Sequence, residues 1–195
     1  MTKKRIIVGI SGASGVTYGI RLLEILRPTD IETHLIMSNS AEITLAYESN
    51  LKVSDVKNLA DVTHNVKDIA ACLSSGSYRT LGMVIAPCSV RTMSEISSGV
   101  TSSLLTRSAD VILKERRKLV LMVRETPLHT GHLRTMVNLS ELGAIIAPPV
   151  PAFYAKPNNL DEMVDYSLGR ILDLFDIEIP GMNRWDENSK KRPEY

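Results

Sequence analysis

The sequence predicts an α/β protein: a doubly wound, mostly parallel sheet with helices on both faces. Three observations carry this reading. Strand-like and helix-like stretches alternate from one end of the chain to the other, the pattern of parallel strands joined by helical crossovers. The strand-like runs are apolar at consecutive positions, as in Ile6-Ile7-Val8 and Leu119-Val120-Leu121, which suits strands covered on both sides. The first of them passes through a glycine-rich turn, Gly12-Ala13-Ser14-Gly15, straight into a helical pattern.

The elements follow in order. Residues 5–10 (RIIVGI) are short and β-branched, fit for a buried strand. Helical periodicity covers 18–26, with Ile20, Leu23, Ile25 and Leu26 on one side, and Pro28 stops it. Residues 31–37 (IETHLIM) form the second strand and 41–47 the second helix. The stretch 50–78 is the least regular, with a short strand near Val62-Thr63 and a short helix over 66–73. A strand at 83–86 (MVIA) ends in Pro87-Cys88-Ser89. A helix over 103–118 has Leu104, Leu105, Val111, Ile112 and Leu119 as its apolar side, and a buried strand LVLMV follows at 119–123. Residues 131–142 are helical, with Gly143 placed as a C-terminal glycine. The last strand, 144–147, runs into Pro148, Pro149 and Pro151, and 160–175 is a long amphipathic helix. Residues 1–180 are expected to form one domain, and 181–195 a polar tail holding the single tryptophan, Trp185.

Composition narrows the function. The 195 residues are 44% hydrophobic and 23% charged, an ordinary soluble globular mixture that excludes a disordered chain. Lys+Arg of 23 against Asp+Glu of 22 leaves a net charge of +1, which argues against nucleic acid or an anionic membrane as the main partner. No apolar stretch approaches the roughly 18 residues of a membrane span. The run after the basic Met1–Arg5 segment is too short for a signal peptide. The two cysteines, Cys72 and Cys88, form no CxxC, so a reducing, cytoplasmic location is expected.

In such sheets ligands sit beyond the carboxyl ends of the strands, here the loops 11–15, 38–40, 87–92, 124–131 and 148–157. The first suits an anion, because small residues let the backbone approach and a helix N-terminus follows. Its spacing is not GxGxxG, and a ligand-free tight turn is the alternative. At 87–92, Ser89 or Thr92 suits a helix cap, and Cys88 is read as a buried structural thiol. Arg124-Glu125 stands at the ligand edge: an arginine there neutralises a phosphate or polarises a flavin carbonyl, and a desolvated glutamate serves as acid or base. A structural ion pair is the plainer reading. His129 and His132 lack a third metal ligand, so capping or core roles are expected. The basic run 114–118 reads as a solvated helix end, with Lys114 held apart. Loop 148–157 is proline-rich and carries Phe153 and Tyr154, suited to wall a pocket or to pack on a neighbouring subunit.

Together the segments GISGASG, APCS, SADVILKERRKLVLMVRETPLH, HLRTM, GAIIAPPVPAFY and VDYSLGRILD resemble the UbiX family of flavin prenyltransferases. Within it the likeness is to the branch that accompanies hydroxyarylic (phenolic) acid decarboxylases, and it spans residues 5–187. The resemblance implies a flavodoxin-like Rossmann fold binding FMN. It implies transfer of a dimethylallyl group from dimethylallyl monophosphate to reduced FMN, at N5 and C6, without a metal. The product, prenylated FMN, would pass to a UbiD-type decarboxylase, with a flavin reductase upstream and a homododecamer as the assembly. By the same resemblance Gly12, Ala13 and Ser14 form the FMN turn. Ser38, Ser89, Val90, Arg91, Thr92 and Arg124 contact the flavin, and Glu125, Ser14 and Trp185 are catalytic. Tyr154, Arg170, Lys114, Arg107 and Glu48 serve the prenyl donor. The chain departs from the family pattern at His129 and Gly131, at HLRTM in place of HLENM, and at Val90-Arg91. Two rivals remain: a flavin-dependent cysteine decarboxylase, whose PxMNxxMW motif is absent, and a non-catalytic FMN carrier.

Overall fold

All six strands of the sheet pair in parallel, in the order β3-β2-β1-β4-β5-β6. They are β1 (Arg5–Ile10), β2 (Glu32–Met37), β3 (Val62–His64), β4 (Gly82–Cys88), β5 (Lys118–Val123) and β6 (Ala144–Ile146). The helices are α1 (Val16–Leu26), α2 (Asn39–Glu48), α3 (Val53–Lys57), α4 (Val90–Ser97), α5 (Leu104–Lys114), α6 (Thr130–Glu141) and α7 (Leu160–Asp173). This computed structural model describes residues 3–179. The chain divides into two compact units between Pro149 and Val150. The first carries the sheet and α1–α6. The second carries a 3-10 turn, Phe153–Ala155, and α7, which starts at an Asn159 cap. No helix among the described residues is long and apolar enough to cross a membrane.

The two-sided burial expected of parallel strands is present. Every residue of β4 is buried, as is all of β1 after Arg5 and all of β5 after Lys118. On one face Ile7, Met83, Ile85, Leu119 and Leu121 pack with Leu105, Ala109 and Ile112 of α5 and Leu139 of α6.

Three local expectations are corrected. The short helix over 66–73 is absent: Asn65 Oδ1 accepts the Lys67 N–H and Asp68 Oδ1 accepts the Ala70 N–H, so Asx turns take over the backbone. Only a 3-10 turn, Cys72–Ser74, forms there. The helix expected to reach Lys118 stops at Lys114, because Arg116 turns left-handed with φ 56°. The Arg117 guanidinium then donates to the carbonyls of Tyr78 (2.8 Å) and Gly76 (2.6 Å). Leu119 therefore belongs to β5 rather than to the apolar side of α5. The third correction is α3, which periodicity did not reveal because it is five residues long and buries only Val56.

One side chain joins the two central strand ends. Ser11 is fully buried. Its Oγ donates to the Pro87 carbonyl (2.9 Å) and accepts the Ser89 N–H (2.7 Å). Ser11→Ala leaves that N–H without its acceptor, so stability is expected to fall by about 1–3 kcal/mol. Urea unfolding followed by circular dichroism measures it, and an unchanged midpoint would show the bond to be dispensable.

Candidate active site

The strand order reverses between β1 and β4, so the loops leaving those two strands part to opposite faces and open a crevice. A cavity of about 610 Å³ lies there, lined by Gly12 from the first loop, Ser38-Asn39-Ser40, Ser89 to Thr92, Ser102-Ser103 and Glu125. Its size falls in the range of about 300–1,000 Å³ usual for small-molecule sites. Gly12 is required: a Cβ at that position would run into Ser40.

Three helices start at this cavity, each capped by a serine. The Ser38 side chain accepts the Ala41 N–H (3.1 Å), Ser89 the Thr92 N–H (3.2 Å) and Ser103 the Thr106 N–H (3.4 Å). A serine oxygen satisfies one of the first amides of each helix and leaves others without an intrahelical acceptor. The positive ends of α2, α4 and α5 thus converge on one space, the physical requirement for holding a phosphate. Lys67 also lines the cavity.

The N-terminus of α1, where the sequence placed an anion, already holds one. Glu48, at the end of α2, accepts the Gly15 N–H (2.8 Å) and the Val16 N–H (3.0 Å). Burial works against its charge, but the Ser14 hydroxyl, those two amides and the nearby Arg124 outweigh it and hold the carboxyl below the ordinary glutamate range. Ser14, Glu48 and Arg124 therefore form one charged cluster beside the glycine turn. Ala13 closes that turn, its N–H donating to the Ser11 carbonyl (2.9 Å).

The remaining expected residues fall into groups. Val90, Arg91 and Thr92 line the cavity, and the exposed Arg91 pairs with Glu95 (2.9 Å). Glu125 lines it too, and its Oε1 accepts the Thr126 N–H (2.9 Å). The Arg124 amide donates to the Cys88 carbonyl (3.1 Å), which fixes this loop to the end of β4. Lys114 sits at the C-terminal end of α5, about 16 Å along the helix from the Ser103 cap, and pairs with Glu115 (2.5 Å). Arg107, one turn into α5, pairs with Asp110 (2.7 Å) and does not line the cavity. Tyr154 and Arg170 belong to the second unit: the Tyr154 hydroxyl meets that of Tyr166 (2.7 Å), and Arg170 pairs with Asp173 (3.2 Å). Trp185 lies outside the described residues.

The plainer readings hold where they were preferred. His129 caps α6 through Nδ1, accepting the N–H groups of Gly131 (3.0 Å) and His132 (3.3 Å). Cys88 is fully buried and its thiol is pushed up to about 12 by burial, so it is inert. Sequence reasoning placed Asn39 and Ser40 in a ligand-edge loop without singling them out and passed over Lys67, Glu95 and Ser102; all five line the cavity. Serines immediately before three helices were the available signal. Glu95 is ionised: the Ser102 hydroxyl (2.6 Å) and Arg91 hold its carboxyl below the ordinary range, against burial.

Fold and cavity define a doubly wound α/β protein built to take a phosphate-bearing ligand, and the Flavoprotein family profile matches residues 1–172. A flavin prenyltransferase UbiX from Escherichia coli is 60% identical over 178 residues, which is 91% of this chain and 94% of that protein. The crystal structure of AnUbiX (PadA1) in complex with FMN and dimethylallyl pyrophosphate is 49% identical, with a TM-score of 0.93 over 94% of this chain and 98% of that one. A dodecameric FMN-dependent UbiX-like decarboxylase from Escherichia coli O157:H7 is 46% identical, with a TM-score of 0.91 over 93% and 99%. The chain belongs to the UbiX flavin prenyltransferases of the Flavoprotein family.

The depressed Glu48 carboxyl has a testable sign. A folded pKa below the unfolded value adds stability at neutral pH, and that stability is lost as pH falls through the folded pKa. Glu48→Gln removes the charge at the α1 N-terminus and is expected to cost about 0.3–1 kcal/mol at pH 7. The gap to wild type closes as the wild-type carboxyl protonates. Denaturation at pH 7 and in the acid range reads this, and a gap that stays constant with pH would exclude the electrostatic cap.

Proposed function

We propose that this protein joins a dimethylallyl group from dimethylallyl monophosphate to reduced FMN, with the flavin nucleotide held in the cavity at the β1/β4 switch point. The observation that supports it most is the convergence of three serine-capped helix starts and Glu125 on one cavity. A flavin mononucleotide fits this donor set: its phosphate suits the first amides and hydroxyls of α2 and α4, and Gly12 lets the backbone approach closely. When bound, reduced FMN supplies the electron-rich N5 and C6 that take up the prenyl group.

The chain's own residues then have separable tasks. Ser38, Ser89 and Thr92 anchor the phosphate end, and Val90 and Arg91 border the ligand. Arg124 sets positive charge beside Ser14 and Glu48. Glu125 is the proton carrier: Oε1 is engaged by the Thr126 amide (2.9 Å), which orients the carboxylate and leaves Oε2 to take up and return the proton. The donor's phosphate leaves as an anion, and Lys114, Arg107 and Arg170, with a hydrogen bond from Tyr154, neutralise it as its charge grows. The length of α5 keeps Lys114 away from its own cavity, so Lys114 serves the cavity of an adjoining copy in an oligomer, for which a dodecamer is the proposed size. Trp185, which lies outside the described residues, is assigned by resemblance to stabilising the allylic cation. Excluding water and orienting the reactants supply the rest of the rate. A flavin reductase keeps FMN reduced, and a UbiD-type decarboxylase of a hydroxyarylic acid receives the product.

The test is an anaerobic reaction of protein, reduced FMN and dimethylallyl monophosphate, followed by flavin absorbance and mass. Wild type yields flavin carrying the added prenyl mass. Glu125→Gln is expected to retain FMN affinity and to lose turnover about 10²–10⁴-fold. Lys114→Ala raises KM for the donor and leaves FMN binding unchanged. Unchanged flavin mass with wild type would favour an FMN carrier, and full turnover by Glu125→Gln would remove the proton role.

A further inference from the structure

A second cluster of chemistry-bearing side chains lies apart from the flavin cavity. His34 of β2, His64 at the end of β3 and Cys72 at the start of the 3-10 turn bring three ligand atoms within 4.8 Å of one another. None of the three lines the flavin cavity.

Neighbouring groups decide which nitrogen is available. His34 Nε2 lies 3.0 Å from Glu32 Oε1 and 3.2 Å from the Tyr78 hydroxyl. Glu32 is ion-paired to Lys3 (2.7 Å) and Arg5 (2.8 Å), so it accepts and His34 Nε2 carries the hydrogen. His34 Nδ1 is left with a lone pair, directed at His64 Nε2 at 2.9 Å. A carboxylate that orients an imidazole and leaves the opposite nitrogen unprotonated is the outer-shell arrangement of histidine–metal sites.

The spacing fits one class of ion. Around tetrahedral zinc, with bonds of about 2.0–2.1 Å to nitrogen and about 2.3 Å to sulfur, ligand atoms stand about 3.3–3.7 Å apart. The two imidazole nitrogens, 2.9 Å apart in a hydrogen bond, need to open by about 0.4–0.5 Å. Cys72 needs to move in by about 1.3 Å at most, and it is exposed at the start of a single turn, so it has room to do so. Two nitrogens and a sulfur select zinc-class ions over magnesium or calcium, which demand oxygen. The ion has a way in, since His64 also borders a cavity of about 260 Å³ with Met37, Asn39 and Glu42.

We propose that His34 Nδ1, His64 Nε2 and the Cys72 thiolate bind one zinc-class divalent ion tetrahedrally, with water as the fourth ligand. Binding releases the Cys72 thiol proton and moves the His64 hydrogen from Nε2 to Nδ1. The ion ties β2 and β3 to the irregular segment before β4, a structural role separate from the flavin chemistry.

The probe is cobalt(II), then zinc, added to full-length protein stripped with a chelator. One equivalent of cobalt is expected to give intense tetrahedral visible bands and a thiolate charge-transfer band, both abolished by zinc. Cys72→Ser changes an exposed position and so keeps the fold, checked by circular dichroism. It loses the charge-transfer band and binds zinc at least about tenfold more weakly. His64→Gln loses the tetrahedral bands. Under a tenth of an equivalent of cobalt bound, a weak octahedral spectrum, or a charge-transfer band that survives Cys72→Ser would each overturn the proposal.

Discussion

Parallel strands place all their carboxyl ends at one edge of the sheet, and every crossover helix must begin near that edge. The consequence is electrostatic before it is chemical: the positive ends of several helices are gathered at one side, with backbone amides lacking intrahelical partners. This protein uses that constraint three times over at one cavity, with Ser38, Ser89 and Ser103 each supplying a cap oxygen. The buried Ser11 hydroxyl, bonded to both Pro87 and Ser89, keeps the two central strand ends in register across the crevice. The site is thus a property of topology, refined by small polar residues.

Carboxylates then partition this positive field. Glu48 neutralises the start of α1, which leaves α2, α4 and α5 as the anion-binding ends. Glu95 is tied down by Ser102 and Arg91, so it is occupied as an acceptor. Glu125 differs, being held to the backbone through one oxygen only. Among the acidic groups described at the cavity, it is the one proposed as the proton carrier.

Much of this was legible from the residues. Buried strands such as MVIA and LVLMV announce themselves by unbroken apolar runs, since two-sided burial leaves no room for alternation. Gly143, with φ 102°, ends α6 where a glycine was expected. What escaped has identifiable causes. The segment 66–73 is dominated by Asn65 and Asp68 side chains that compete for backbone amides, and periodicity cannot register such competition. Glu48 was recognised as part of the site, but its task depends on the end of α2 arriving at the start of α1, thirty-three residues away in sequence. Lys67 and Glu95 share no motif and meet only through folding.

Helix α5 works as a ruler. Its first residues border the cavity of their own chain, while Lys114 stands at the other end and is proposed to serve a neighbour's. One residue inserted between these ends would swing the far end by about 100° and advance it about 1.5 Å. The apolar interior of this helix should therefore tolerate conservative exchange of side chains far better than a change of length.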